Sequence, residues 1–312
     1  AIDGYPVREV LIPNPQSGAM YAVTDEQLYV LEGDAWVPVA DETHARHYIV
    51  DPTDDDHLFR GDHPPCTLDD AETRIPLEVS EDGGDTWREL TQGTNIRPIA
   101  FDPTDPEVLY GSNCALMVSI NSGNTWERVN ALPGHDVTDI SVAGTRLLLL
   151  GTTPTGKSML REVDITDPRN PEIGDILLRT DGPATMDVNA DRIVVGGANA
   201  VHVSDDGGET WYDSRIGLEQ VTTASQLDPN RTDAAATRAD LGVRAIQLDT
   251  RDKSRIYAGT SRGVFISQDA GVTWVRYDEI PPDAIVDAIE IGANDADLYV
   301  TTDKGVIVVP VP

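Results

Sequence analysis

The sequence predicts an all-β fold built from seven repeated units in a single domain, residues 1–312. Three observations support this prediction. A short turn motif occurs four times, an aspartate precedes an aromatic residue by eight positions in three places, and short runs rich in Val, Ile, Leu and Tyr are divided by Gly and Asp turns. Recurrence with a period of about 40 residues indicates a repeat architecture made of β-strands.

The turn motif reads S-x-[DN]-x-G-x-T-W, and each copy lies between two β-rich stretches. The acid or amide can accept hydrogen bonds within its own turn, the Gly supplies a positive φ, and the Trp carries a large apolar surface towards a neighbouring sheet. The residue pairs that define the four copies are Asp82 and Trp87, Asn121 and Trp126, Asp206 and Trp211, and Asp269 and Trp274.

This motif resembles the Asp-box of BNR-repeat β-propellers. The resemblance implies a seven-bladed β-propeller in which the Asp-box turns join the third and fourth strands of several blades. Seven units with starts near residues 7, 46, 97, 137, 183, 244 and 286 cover the chain. The motif predicts fold and not function, because Asp-boxes occur in sialidases, xyloglucan-cleaving glycosidases, sortilin-type receptors and photosystem II assembly factors.

Three regions depart from the regular repeat. The seventh unit lacks a fourth strand, and we expect residues near 2–5 to supply it, so that no strand edge remains exposed. Insertions are expected at about residues 60–78, inside the second unit, and at about residues 216–242, between the fifth and sixth units. Long loops on a rigid scaffold are either functional or disordered, and the sequence leaves both interpretations open.

The composition is strongly acidic along the whole chain. The formal net charge is −31, and only three of the 23 basic residues are lysines. Molar salt screens the repulsion between carboxylates, so this bias indicates a halophilic source. The absence of a basic stripe argues against nucleic acid as a partner. No apolar run reaches the about 20 residues that a transmembrane helix needs.

The two cysteines are Cys66, in the first insertion, and Cys114, which follows the second strand of the next unit. In a propeller these loops lie side by side, so a disulfide is predicted, and it favours an extracytoplasmic location, secreted or at the cell surface. The alternative is a pair of free thiols in a cytosolic protein. Asn230 begins a glycosylation sequon, which fits export but also occurs by chance.

Four arginines share one position in the repeat. Arg8, Arg46, Arg97 and Arg244 each lie thirteen residues before the aromatic residue of a second strand. This position is expected at the mouth of the propeller channel, together with His47 and His135. Guanidinium groups that converge there would bind a carboxylate, a phosphate or a protein partner. The alternative is structural: each Arg ties its blade to a neighbour through a carbonyl or an aspartate.

Enzymatic activity has weaker support in the sequence. The segment Thr73–Pro76 only partly matches the F-[RY]-I-P signature of sialidases, and no Tyr–Glu pair can be assigned. A glycoside hydrolase needs just two carboxyls about 5 to 10 Å apart, which an Asp-rich chain can supply. The sequence shows no zinc-ligand spacing, no calcium loop and no Gly-rich phosphate loop, so neither a metal site nor a cofactor is predicted.

Among Asp-box families, the chain is most similar in layout to the single-domain photosystem II assembly factor type. The similarity covers nearly the whole chain and rests on the Asp-Pro bend, the aromatic residue and glycine of each second strand, and the arginines of one face. It implies a non-catalytic, extracytoplasmic scaffold that binds a protein partner or an anionic ligand through that face. The alternative is a glycoside hydrolase that acts on surface or extracellular glycans.

Overall fold

The computed structural model describes most of the chain. The described residues are 2, 7–12, 18–24, 26–33, 35–39, 47–66, 74–198, 200–218, 242–292 and 296–312, without the side chains of 91–93. The described part contains 27 β-strands and no α-helix. None of it forms a helix long and apolar enough to cross a membrane.

The chain divides into two compact units, Ile2–Arg179 and Thr180–Pro312. The first, the N-terminal unit, holds four sheets of four strands each, which we call blades 1 to 4. Their strands are β1 (Val7–Leu11), β2 (Tyr21–Thr24), β3 (Leu28–Glu32), β4 (Ala35–Pro38); β5 (His47–Asp51), β6 (Asp54–Gly61), β7 (Pro76–Ser80), β8 (Arg88–Thr94); β9 (Arg97–Phe101), β10 (Leu109–Ser112), β11 (Leu116–Ser119), β12 (Glu127–Val129); and β13 (Asp136–Ala143), β14 (Arg146–Thr152), β15 (Lys157–Asp164), β16 (Glu172–Asp181).

The C-terminal unit holds blades 5 to 7. Their strands are β17 (Thr185–Asn189), β18 (Arg192–Gly196), β19 (Val201–Ser204), β20 (Tyr212–Ser214); β21 (Ala245–Leu248), β22 (Ile256–Thr260), β23 (Gly263–Ser267), β24 (Val275–Arg276); and β25 (Val286–Ile291), β26 (Asp297–Thr302), β27 (Gly305–Pro310). Within each sheet the strands follow one another in chain order as antiparallel neighbours.

The prediction of an all-β, seven-bladed β-propeller is confirmed. The first strands begin at Val7, His47, Arg97, Asp136, Thr185, Ala245 and Val286, within two residues of the predicted starts. Blade 7 has three strands among the described residues. Residues 2–5 were expected to complete it. Of these, Ile2 is described and is buried, and residues 3–5 lie outside the described part.

All four copies of the turn motif join the third and fourth strands of a blade, and they share one hydrogen-bond pattern. In blade 5 the buried hydroxyl of Ser204 donates to Asp206 and accepts from the backbone N–H of Gly208, both at 2.8 Å. Asp206 in turn accepts from the backbone N–H of Thr210 at 2.8 Å. The turn is therefore locked by its own side chains, which explains why its Ser, Asp or Asn, Gly and Thr recur together.

The eight-residue interval from aspartate to aromatic also has a physical cause. The Oδ1 atom of Asp102 accepts from the N–H and hydroxyl of Thr104 at 2.9 and 2.7 Å, which closes the bend after β9. The Oδ2 atom accepts from the hydroxyl of Tyr110 on β10 at 3.2 Å. Asp51 and Asp249, like Asp102, are buried. These aspartates are therefore buried caps of the bends.

The close approach of the second strand to the first strand of the same blade explains a glycine of the repeat. Gly111 on β10 follows Tyr110, and a Cβ at this position would lie 2.6 Å from the carbonyl oxygen of Arg97 on β9. No side chain fits at that distance, so the second strand can approach the start of the first strand only with glycine. The start of β9, where a predicted site residue lies, is thereby held in place.

The first predicted insertion is described except for residues 67–73, whereas most of the second lies outside the described residues. The loop between β6 and β7 is described at 62–66 and at 74 and 75, and the segment between β20 and β21 at 215–218 and 242–244. The sequon at Asn230 and the residue Thr73 of the sialidase-like segment fall in the parts that are not described.

Candidate functional site

Arg97 and Asp136 form an ion pair at the start of two consecutive first strands. The Nη2 atom of Arg97, on β9, lies 3.1 Å from Oδ1 of Asp136, on β13, and also donates to the carbonyl of Val137. The same Oδ1 accepts from the hydroxyl of Ser112 at 2.9 Å. The Nε2 atom of buried His63 lies 3.2 Å from it, without hydrogen-bond geometry. We call Arg97, Asp136, Ser112 and His63 the Asp136 cluster.

The Asp136 carboxylate is stabilised by these neighbours. Burial alone would raise the pKa of Asp136, but the contact with His63, the charge of Arg97 and the hydrogen bond from Ser112 outweigh it and hold the pKa below its ordinary value. Asp136 is therefore ionised at neutral pH, and it neutralises the charge of Arg97 on one side.

His47 lies beside this cluster at the start of β5. Burial is the main reason that its pKa falls to about 4, and the positive charges of Arg97 and Arg8 lower it further, while Asp62 opposes the shift. The N-terminal unit therefore brings Arg8, His47 and Arg97 close enough to interact electrostatically, and His47 is neutral at physiological pH. Three of the predicted site residues share one environment.

The Cys66–Cys114 disulfide is present, as predicted. It joins the loop after β6 to the turn between β10 and β11, with the two Cα atoms 5.4 Å apart. His63 packs beside it, since its Nδ1 atom lies 4.0 Å from Sγ of Cys114. The disulfide therefore links blades 2 and 3 next to the Asp136 cluster.

Arg244 precedes β21 in the C-terminal unit, and its side chain is 51% exposed. Its Nε and Nη2 atoms lie 3.0 and 2.5 Å from Oδ1 of Asp287, on β25. The pair borders a cavity of about 410 Å³, which we call the Arg244 pocket. Its lining consists of Pro183, Ala184, Thr185, Ala198, Gly242, Val243, Arg244 and Asp287. Small apolar side chains make up much of this wall, with one guanidinium at its edge.

The outcome for the remaining predicted residues is mixed. Arg46 lies outside the described residues. His135 is partly exposed, with its Nδ1 atom 3.0 Å from the carbonyl oxygen of Pro133. Arg97 and Arg244 each pair with an aspartate near the start of the next first strand, as the structural alternative expected. These two arginines therefore tie consecutive blades, whatever else they bind.

The sequence reasoning missed the aspartates that pair with these arginines. Asp136 follows Arg97 by 39 residues, and Asp287 follows Arg244 by 43. Each interval is one repeat, so an acidic residue at the start of the following unit was the signal that could have identified both partners. His63 was missed because nothing in its local sequence indicates what it contacts.

Two carboxyls on first strands have raised pKa values. Burial raises the pKa of Glu9, on β1, to about 7, with Arg8 opposing the shift and the negative charge of Asp139 adding to it. Burial likewise raises the pKa of Asp187, on β17, to about 6, although backbone N–H groups of Leu248 and Val188 lower it. A carboxyl that keeps its proton near neutral pH can act as a general acid.

Comparison with known proteins supports the fold and leaves function open. No protein-family model and no curated protein matches the sequence. The structure resembles the GH74 xyloglucanase from Xanthomonas campestris, with a TM-score of 0.71 and 16% identity over 99% of this chain and 52% of that one. The chain thus spans about half the length of that enzyme.

Two further structures match this chain over nearly the full length of both partners. YCF48 bound to D1 peptide matches with a TM-score of 0.63 and 13% identity, covering 99% of this chain and 94% of that one. The β-propeller domain of Cps50 (Swd1) from Myceliophteria thermophila matches with a TM-score of 0.62 and 11% identity, covering 99% and 97%. At these identities the likeness establishes the propeller fold and no activity.

Proposed function

We propose that the protein is a non-catalytic binding or assembly module that holds a protein partner or an anionic ligand near the starts of its first strands. The observation that carries the proposal is Arg244, a half-exposed guanidinium at the edge of the Arg244 pocket. The residues assigned to binding are Arg8, Arg97, His47 and His135 in the N-terminal unit, Arg244 in the C-terminal unit, and Arg46.

Pairing with Asp287 leaves Arg244 able to bind a ligand. A guanidinium carries five N–H donors, and Asp287 accepts from Nε and Nη2 only. No other described residue accepts from this guanidinium, so Nη1 can donate to an incoming carboxylate or carbonyl. The walls formed by Pro183, Ala198 and Val243 suit the apolar part of an extended peptide.

The neighbours and the disulfide give further support. YCF48 is described as bound to a peptide, and a peptide is the kind of ligand that the Arg244 pocket would hold. The disulfide favours an extracytoplasmic location. The net charge of −31 favours a halophilic source and argues against nucleic acid as the partner.

The experiment selects peptides from a displayed library on the immobilised full-length protein in molar KCl, and then measures their affinity for variants. Arg244→Ala should weaken binding about 10-fold or more, because a hydrogen bond to a charged group contributes about 1.5–3 kcal/mol. Arg215→Ala is the matched control, since Arg215 is 52% exposed and also pairs with an aspartate, Asp213. Equal affinity of the two variants would contradict the proposal.

A glycoside hydrolase is the second candidate, and Glu9 is the observation that favours it. Its pKa of about 7 lets it keep its proton in about half of the molecules at neutral pH, while Asp139 supplies a second carboxyl that interacts with it. A retained proton on one of two carboxyls is what glycoside hydrolysis needs. Screening xyloglucan and other glycans with the wild type and Glu9→Gln distinguishes the candidates. Turnover that disappears in Glu9→Gln would establish the enzyme and exclude the binding module.

A further inference from the structure

Three residues of the kinds that bind soft metals meet at the edge of the Asp136 cluster, and one of them, His63, belongs to that cluster. One ring nitrogen of His63 and the Sγ atoms of Cys66 and Cys114 all lie within 4.8 Å of one another. His63 and Cys66 are separated by two residues, so one short loop carries both. Cys114 joins them from 48 residues beyond Cys66, so the sequence shows no recognisable zinc pattern.

The second ring nitrogen of His63 lies close to a carboxylate, the kind of group that accompanies a metal-binding histidine. Its Nδ1 atom faces the sulfur of Cys114 at 4.0 Å, while Nε2 lies 3.2 Å from the carboxylate of Asp136. Histidine ligands almost always present their other nitrogen to a carboxylate or a carbonyl, which fixes the ring and raises its basicity. His63 therefore lies between the Asp136 carboxylate on one side and the sulfur atoms on the other.

The hydrogen bonding of His63 in the disulfide form leaves this arrangement incomplete. Nδ1 lies 2.9 Å from the carbonyl oxygen of Pro64, to which it donates. Nε2 is buried and finds no hydrogen-bond partner among the described residues despite its closeness to Asp136. If Nδ1 gave up its proton to bind a metal, Nε2 would carry the proton and donate it to Asp136, which satisfies the buried nitrogen.

We propose that the reduced form of the Cys66–Cys114 pair is a zinc site in which both thiolates and Nδ1 of His63 bind the ion and Asp136 accepts from Nε2. A small dithiol supplies the two electrons and two protons: its two thiols become a disulfide while the Cys66–Cys114 bond breaks to give two thiols. Binding of Zn²⁺ then displaces one proton from each thiol.

The donor set selects the class of metal. Two thiolates and one imidazole suit Zn²⁺ and its spectroscopic substitute Co²⁺, and they do not suit Ca²⁺ or Mg²⁺, which prefer oxygen ligands. Three protein ligands leave one coordination position for water or a ligand. Both cysteines are accessible to solvent, so a reductant and an ion can reach them.

The disulfide and the metal exclude each other, because the same two sulfur atoms form either one S–S bond or two bonds to the ion. Asp136 contacts His63 and Arg97 through the same oxygen atom. In the metal-bound state, the N–H at Nε2 of His63 would donate a hydrogen bond to that oxygen and compete there with Arg97. The redox state of the cysteines is therefore coupled, through one carboxylate, to an arginine assigned to partner binding.

The test titrates Co²⁺ into the full-length protein in molar KCl, before and after reduction with a phosphine that is then removed under argon. The reduced protein should bind one equivalent and develop a thiolate-to-cobalt charge-transfer absorption that Zn²⁺ abolishes. The disulfide form should give no such band. Asp136→Asn should weaken binding 10- to 100-fold, as expected for the loss of a carboxylate behind a histidine ligand.

Two variants separate this site from incidental binding. His63→Gln should abolish the tight site, whereas His202→Gln, which alters a histidine paired with Asp213 at 2.7 Å in the C-terminal unit, should leave it unchanged. Thiol titration checks that each variant is reduced, and circular dichroism checks that its β-sheet is still folded. The proposal is overturned if the reduced wild type gives no charge-transfer band, if His63→Gln binds as tightly as the wild type, or if reduction unfolds the protein.

Discussion

Asp136 is the shared acceptor of Arg97 and Ser112, and Nη2 of Arg97 lies 3.1 Å from its Oδ1 atom. Arg97 and Asp136 begin the first strands of blades 3 and 4, respectively. An arginine predicted to bind a ligand thus also connects two blades. Stability and binding depend on the same side chain at this position.

Asp136→Asn should lower the free energy of unfolding at pH 7 by about 1–2 kcal/mol, because Arg97 and Ser112 lose a charged acceptor in a partly exposed site. The pKa of Asp136 is depressed, so its contribution is present above the pKa of the unfolded chain and disappears as the pH falls through the lower folded value. The difference between wild type and variant should therefore shrink in acid. Urea unfolding at several pH values measures it, with the exposed Asp213→Asn as control; a constant difference would contradict the prediction.

Glu9→Gln should change the dependence of stability on pH near neutrality, whereas Asp136→Asn changes it in acid. The folded pKa of about 7 lies above the ordinary value of 4.5 for a glutamate, so the folded state holds a proton that the unfolded chain releases. The wild type therefore loses stability as the pH rises from about 4.5 to about 7. The variant has no such loss, and its stability relative to the wild type should increase between pH 5 and pH 8. Parallel pH profiles of the two melting temperatures would show that Glu9 titrates normally.

Trp274→Ala should destabilise the protein more than Trp211→Ala. Trp274 is 3% exposed, and its Nε1 atom donates to Ser214 at 2.7 Å, whereas Trp211 is only partly buried and donates within its own turn, to Gly208 at 3.0 Å. Loss of a fully buried Trp costs about 3–5 kcal/mol. Urea unfolding of both variants gives the comparison, with the two equivalent turns as mutual controls. Equal losses would mean that the turn, and not burial, sets the contribution.

Folding should depend on molar salt. The net charge of −31 produces repulsion that is screened when the Debye length falls from about 10 Å at 0.1 M to about 3 Å at 1 M. The melting temperature should rise steeply between dilute buffer and several molar KCl, and equimolar sucrose serves as a control for general solvent effects. An unchanged melting temperature would remove the basis for a halophilic source.

Local patterns predicted much of the fold. The four turns lie between third and fourth strands, and the predicted unit starts agree with the observed first strands within two residues, because turn chemistry and the aspartate-to-aromatic interval act over a few residues. The disulfide followed from equivalent positions in adjacent units. These relationships repeat along the chain, so one sequence contains several independent copies of the signal.

The candidate site was only partly predictable. Aligning the repeats located Arg97 and Arg244, but their pairing with Asp136 and Asp287 depends on how each blade meets the next. The position of His63 between a disulfide and Asp136 arises from a loop whose path no local pattern specifies. Side chains far apart in sequence reach one another there, and their geometry is set by packing.

The sequence by itself determined the all-β repeat, the number of blades, the turns and the cysteine pairing, since each depends on residues within one repeat or at equivalent points of two. Tertiary structure decided which charges are neutralised and which carboxyls hold a proton. The raised pKa of Glu9 and the lowered pKa values of Asp136 and His47 come from burial and from neighbours on other strands. Burial and long-range contacts exist only in the folded chain, so composition and spacing could not supply them.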